Sequence, residues 1–204
     1  MSSLALLFVG AVLLVNGLVL LGRVSARAAV PVNLIVGAGL VTASLLAAIP
    51  AAGDDARLTL FGAVGFALFG VTYLIVGSGS LLGADGSALG WYCGWAAVVA
   101  LILAGVNFAA GDGHMAWLWL AWTVLFFAFF LSATTANPRF DTAAGVIAIA
   151  QSVTTATVPA LLMIDGSWSG LPLGWIIVAQ VIGVAAAVFV IARPEPARPA
   201  PVPA

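Results

Sequence analysis

Apolar residues along this chain fall into long blocks separated by short polar interruptions, with neither strand-like alternation nor a polar stripe at helical spacing. The first block covers residues 4–22 and is broken only by Asn16. Arg23 and Arg27 mark a tight turn, and Pro31, suited to a first helical turn, opens a second block that runs to about residue 49. Residues 50–57 read as a loop, 58–77 as the third block, 78–89 as a Gly/Ser-rich loop and 90–110 as the fourth block. A short turn, Gly111-Asp112-Gly113, leads into a fifth block that contains WLWLAWTVLFFAFFLS (residues 117–132) and ends before Asn137-Pro138. Residues 142–164 form the sixth, with Asp141 placed to cap it, and 171–192 the seventh.

A helix needs about 20 apolar residues to cross a hydrocarbon core of about 30 Å, so each block is long enough to span a membrane. The expected fold is an all-α integral membrane protein: a compact bundle of six transmembrane helices plus a seventh, C-terminal one. Residues 1–192 form the transmembrane domain, and the Pro-rich tail 193–204 is expected to be extended and mobile on the cytoplasmic side. The N-terminal block lacks the basic flank and small-residue cleavage site of a secretory signal and is expected to stay attached.

Composition strengthens this picture. Hydrophobic residues make up 64% of the chain and charged residues 6%, with a mean hydropathy of +1.23, far beyond a water-soluble domain. A net charge of −1 without any basic run excludes nucleic acid as a partner. Cys93 is the single cysteine, so no intrachain disulfide forms and the redox compartment is not reported by the sequence. All six basic residues are arginines. With seven crossings, Arg23, Arg27, Arg139, Arg193 and Arg198 fall on one side and Arg57 on the other, which places the N-terminus outside and the C-terminus in the cytoplasm.

No Asp, Glu, Lys, Arg or His lies near the middle of any block. Ion pathways and proton relays carry ionisable groups at depth, so an uncharged core points to a neutral solute without ion coupling. It also removes a retinal Schiff base, an intramembrane protease and a metalloenzyme, leaving no catalytic residue, no metal site and no cofactor to assign. His114 stands alone beside the turn at Asp112 and reads as a solvated interfacial residue.

What the core does carry is aromatic and neutral polar. Trp119, Trp122 and Phe126 recur at i, i+3 and i+7 on one stripe of the fifth helix, opposite the mostly smaller Trp117, Ala121, Val124 and Ala128. Phe69 and Tyr73 share one face of the third helix. Asn16, Gln151, Thr154, Thr155 and Thr157 sit at depth, and Pro159 is expected to bend the sixth helix and free the Thr155 carbonyl as a spare acceptor near Gln151. Taken singly, each polar group reads equally as interhelical glue. Together they supply flat π surfaces, donors and acceptors, which is what a small planar amide requires.

Five stretches in order, LLFVGAVLLVNGL (6–18), LFGVTYL (68–74), GWYCGW (90–95), WLAWTVLF (119–126), and Gln151 with ATVPALL (156–162), resemble the AmiS/UreI family of urea and amide channels. The resemblance covers residues 1 to about 164. It implies a six-helix protomer built from hairpins, each with its own pore, assembled as a homo-hexamer in the cytoplasmic (plasma) membrane. The family's narrow filter falls on Leu6, Leu13, Phe69, Tyr73, Trp119, Trp122 and Phe126, with Asn16 and Gln151 joining the pathway. Phe126 stands where the urea channel has another Trp, and Gln151 where it has a Glu. The acid-gated urea channel carries long histidine-bearing outer loops that this chain lacks, and the seventh block has no counterpart in it. The expected function is a passive channel for urea or short-chain aliphatic amides, not acid-gated and not an enzyme, functionally paired with a cytoplasmic urease or amidase. A pore for water or ammonia, and a non-conducting structural or regulatory membrane subunit, are the alternatives.

Overall fold

The computed structural model describes residues 3–49 and 56–193. The loop expected at 50–57 and the tail expected at 193–204 therefore fall almost wholly outside the described residues. Regular structure in the described residues is entirely helical. Seven of these helices are long and apolar enough to cross a membrane: α1 (Ser3–Leu20), α2 (Val30–Ala48), α3 (Ala56–Leu82), α4 (Ser87–Ala109), α5 (Gly113–Thr134), α6 (Pro138–Asp165) and α7 (Leu173–Ala192).

Helix ends follow local chemistry. Pro31 lies in the first turn of α2, where its missing N–H costs no hydrogen bond. Asp112 caps α5 by accepting the Met115 N–H at 2.9 Å. α6 is capped by Asn137, whose Oδ1 accepts the Arg139 N–H at 3.0 Å, with Pro138 just inside. The expected cap, Asp141, instead lies within the first turn and accepts the Ser132 hydroxyl at 2.6 Å, tying α6 back to the end of α5. The expected loop 78–89 is mostly helix: α3 continues to Leu82 and α4 starts at Ser87. Glycine and serine do not break a helix on their own when packing supports it. The turn comes where Gly83 adopts a left-handed φ of 68°.

α6 is not uniform. Pro138–Gln151 is α-helical, Ser152–Thr157 is a π-helical turn, and Val158–Asp165 is α-helical again. The Val158 N–H reaches five residues back, to the Val153 carbonyl. The distortion thus starts before Pro159 rather than at it, and hydroxyls of the same run absorb it. Ser152, Thr154, Thr155 and Thr157 donate to the carbonyls of Ile149, Ala150, Gln151 and Ser152 at 2.7, 2.9, 2.7 and 2.8 Å. Four successive carbonyls on this stretch are thus covered by side-chain hydroxyls.

α2 pairs with α3 and α4 with α5 as antiparallel hairpins, while α1 closes the bundle against α6. Lipid supplies no hydrophobic drive between helices, so association rests on close packing and a few hydrogen bonds. A Cβ on Gly10 would sit 2.4 Å from Thr157 Oγ1 and 2.9 Å from the Ser152 carbonyl, so α1 approaches the π turn as only glycine allows. A Cβ on Gly37 would likewise sit 2.9 Å from the Gly70 carbonyl of α3.

α7 lies along α6 and touches α5. At one end Arg139 Nη1 donates to the Ile191 carbonyl at 3.3 Å. At the other, His114 Nε2 is 2.7 Å from the Leu171 carbonyl and its ring stands edge-on to Trp168 at 5.3 Å. His114 is therefore a half-buried clasp on the seventh helix, not the freely solvated residue its place beside a turn suggested.

Candidate permeation site

Helical spacing on three helices converges on one layer. Phe69 and Tyr73 come from α3, Trp119, Trp122 and Phe126 from α5, and Leu6 and Leu13 from α1; each is at most 2% exposed. Phe69 is the hub: its ring centroid lies 5.2 Å from Trp122, edge-on, 5.1 Å from Phe126 and 6.1 Å from Tyr73. Trp119 meets Trp122 edge-on at 4.7 Å. These tilted and T-shaped contacts are favoured arrangements of aromatic quadrupoles, and they join α3 to α5 in the buried core.

A cavity lies on each side of this layer. One, of about 300 Å³, is bounded by the start of α3, the end of α4 and the start of α5, with Asn107, Asp112 and Trp119 in its wall. The other, of about 170 Å³, lies at the opposite end, between the ends of α1, α3 and α5 and the start of α4. Its wall includes Asn16, Thr72, Tyr73, Cys93 and Ser132. Trp119 thus faces one cavity and Tyr73 the other, while Phe69, Trp122 and Phe126 stand between. Polar groups sit at both mouths and rings in the middle.

The neutral polar residues divide. Asn16 borders the second cavity, but its amide is committed to Asn33: the two exchange hydrogen bonds at 2.9 and 2.8 Å, and Asn33 also donates to the Ala29 carbonyl. Asn16 is therefore an α1–α2 fastener at the cavity edge, with a partner that sequence reasoning does not supply. The available signal was a second asparagine at depth on the neighbouring helix. Gln151 is 4% exposed; its Nε2 donates to the Ala121 carbonyl at 2.9 Å, fixing the amide, and Oε1 has no protein partner. Ala121, expected on the face opposite the rings, is consequently buried against α6. Trp122 Nε1 donates to Thr155 Oγ1 at 3.0 Å, so one turn of α6 grips one turn of α5 twice. Tyr73 reaches the Val9 carbonyl only weakly, at 3.4 Å.

No group of three or more His, Cys, Asp or Glu side chains that could hold a metal occurs among the described residues. Cys93 is buried in the apolar core.

An aromatic constriction between two cavities in an uncharged helical bundle is joined by a direct match: residues 1–167 match the AmiS/UreI family transporter. The chain is a member of the AmiS/UreI family. It is 40% identical over 190 residues, 93% of this chain and 88% of the relative, to a Mycolicibacterium smegmatis protein named as a transporter of amidate substrates. It is 37% identical, over 100% of this chain and 98% of the relative, to the Rhodococcus erythropolis transporter protein AmiS2. The crystal structure of the urea channel from Helicobacter pylori superposes with a TM-score of 0.71 at 26% identity, covering 82% of this chain and 99% of the other. A closed-state structure of that channel matches with a TM-score of 0.65 at 23% identity, over 82% and 100% of the two chains, and shows the shared fold. The family match stops at residue 167, before α7. The AmiS2 relative is aligned over this helix as well. The protein is thus a multi-pass membrane protein of a transporter and channel family.

Proposed function

We propose that this AmiS/UreI member is a passive channel for urea and short-chain aliphatic amides, each protomer conducting through its own bundle axis. The observation that carries this reading is the aromatic layer between two cavities of unequal size, with no charged group in it. Flat rings exclude branched and hydrated solutes and stack on a planar amide, while a neutral wall offers nothing to an ion. Leu6, Leu13, Phe69, Tyr73, Trp119, Trp122 and Phe126 form the filter, and Gln151 Oε1 is the acceptor kept for a solute N–H, Asn16 lining the mouth beyond.

We also infer a homo-hexamer in the cytoplasmic membrane, N-terminus outside and C-terminus inside, paired in the cell with a urease or amidase. The arginine distribution and the family resemblance support these assignments. In that orientation the larger cavity opens outward, and the protein performs no chemistry. Purified protein in liposomes, subjected to an inward gradient of urea or acetamide and followed by light scattering, tests the function. Faster swelling than in protein-free vesicles is expected. Equal rates would favour a non-conducting membrane subunit, and acceleration of water alone a general small-solute pore.

A further inference from the structure

We propose that Thr155 is a positioning residue for the filter: its hydroxyl holds the Trp122 indole N–H away from the pore, so that the ring presents only π surface and C–H edge to a passing solute. The inference rests on the channel reading and on Trp122 belonging to its constriction.

The geometry is directional. Trp122 and Thr155 are both fully buried, and a buried indole N–H requires an acceptor. Thr155 Oγ1 takes it at 3.0 Å. The hydroxyl's own proton is committed to the Gln151 carbonyl at 2.7 Å, so the oxygen has only lone pairs to turn toward the indole. The relay therefore runs one way, from Trp122 N–H to Thr155 O–H to the Gln151 carbonyl, and ends on the α6 backbone. Thr155 lies in the π turn Ser152–Thr157, a distortion that recurs at functional sites. Gly10 of α1 presses on that turn at Thr157 and Ser152 from the other side. The π turn thus contacts α1 through Gly10 and α5 through the Trp122 indole.

The functional consequence lies in what the filter lacks. Trp122 stands edge-on to both Phe69 and Trp119, and a free indole donor at this level would capture a solute carbonyl or a water midway. With the donor tethered, transit depends on shape and stacking.

Thr155→Val keeps the volume and removes the hydroxyl, leaving the indole N–H to seek another acceptor. The acetamide-to-urea flux ratio in proteoliposomes should then shift by about fivefold or more, equivalent to about 1 kcal/mol for one hydrogen bond. Thr155→Ser, which restores the relay, should keep the wild-type ratio. In a Trp122→Phe background, which has no N–H to tether, Thr155→Val should change the ratio less than about twofold, as expected when the two residues act as one unit. A purely structural Thr155 would lower the yield of folded protein without altering the ratio. The proposal is overturned by an unchanged ratio in folded Thr155→Val, by Thr155→Ser behaving like Thr155→Val, or by full additivity with Trp122→Phe. If Thr155→Val fails to reach the membrane, Thr155→Cys, a far weaker acceptor of similar size, must shift the ratio by about fivefold or more or the proposal fails. Absence of solute flux through the wild-type protein would instead overturn the channel reading itself.

Discussion

Replacing Trp122 with alanine tests the constriction most directly. The indole is fully buried, edge-on to Phe69 and Trp119, and belongs to the layer that separates the two cavities. Deleting it opens space within that wall, between Phe69 and Trp119. The stability loss should be about 3–5 kcal/mol, as for other large aromatic-to-alanine changes in packed cores. It should not be larger, because no buried donor is stranded: the Thr155 hydroxyl keeps its bond to the Gln151 carbonyl. An apolar passage discriminates a single methylene by about 1–3 kcal/mol, or about 10–200-fold. The wild-type preference for acetamide over butyramide should therefore fall by at least about tenfold in Trp122→Ala. The assay is stopped-flow swelling of proteoliposomes under matched gradients of each amide, with monodispersity in detergent as the folding control. A folded Trp122→Ala whose acetamide-to-butyramide ratio equals that of wild type would refute the assignment of this layer as the filter.

Other outcomes follow from single contacts. Gln151→Ala should fold, since the Ala121 carbonyl it caps lies inside α5 and keeps a helical partner, but conduct less well; normal flux from a strongly destabilised Gln151→Ala would reduce Gln151 to interhelical glue. Gly37→Ala should destabilise the α2–α3 pair by about 1–3 kcal/mol, because its Cβ would meet the Gly70 carbonyl at 2.9 Å, whereas Gly39→Ala, with open space around it, should be neutral in thermal unfolding. Flux should change little between external pH 5 and 7.5, because His114 donates its Nε2 proton to the Leu171 carbonyl as a neutral tautomer or as imidazolium alike; a tenfold change abolished by His114→Ala would show a concerted gate. Asp85, its carboxyl held below the usual 3.8 by hydrogen bonds from the Ser87 hydroxyl and amide, stays ionised throughout that window, and any stability it lends is lost only at lower pH. A topology reporter fused after Ile164 should read outside and one after Ala204 cytoplasmic; matching signals would remove α7 as a crossing.

Hydrophobic block length alone determined that the chain is a helical membrane protein with seven helices long and apolar enough to cross, because burial in lipid forces each backbone segment to satisfy its own hydrogen bonds as a helix. Ring spacing on α3 and α5 was equally legible: Phe69 with Tyr73, and Trp119, Trp122 and Phe126, are set on their faces by the 3.6-residue period, whatever packs against them. Which partner each polar group meets was not legible, since that depends on crossing geometry between helices far apart in sequence. Asn16 stands at the cavity edge, but its pairing with Asn33 across the α1–α2 contact is invisible in the sequence. His114 was read as solvated until Leu171, distant in sequence, came to lie against it. The widening of α6 is a π turn at Ser152–Thr157, around the Thr155 carbonyl that Pro159 leaves without its α-helical N–H, and nothing in the sequence signals that hydroxyls of the same run would cover the backbone there. Thr155 could not be told from its threonine neighbours by sequence, for all of them return a hydroxyl to the backbone. Only the packing of α5 against α6 brings the Trp122 indole to that one oxygen.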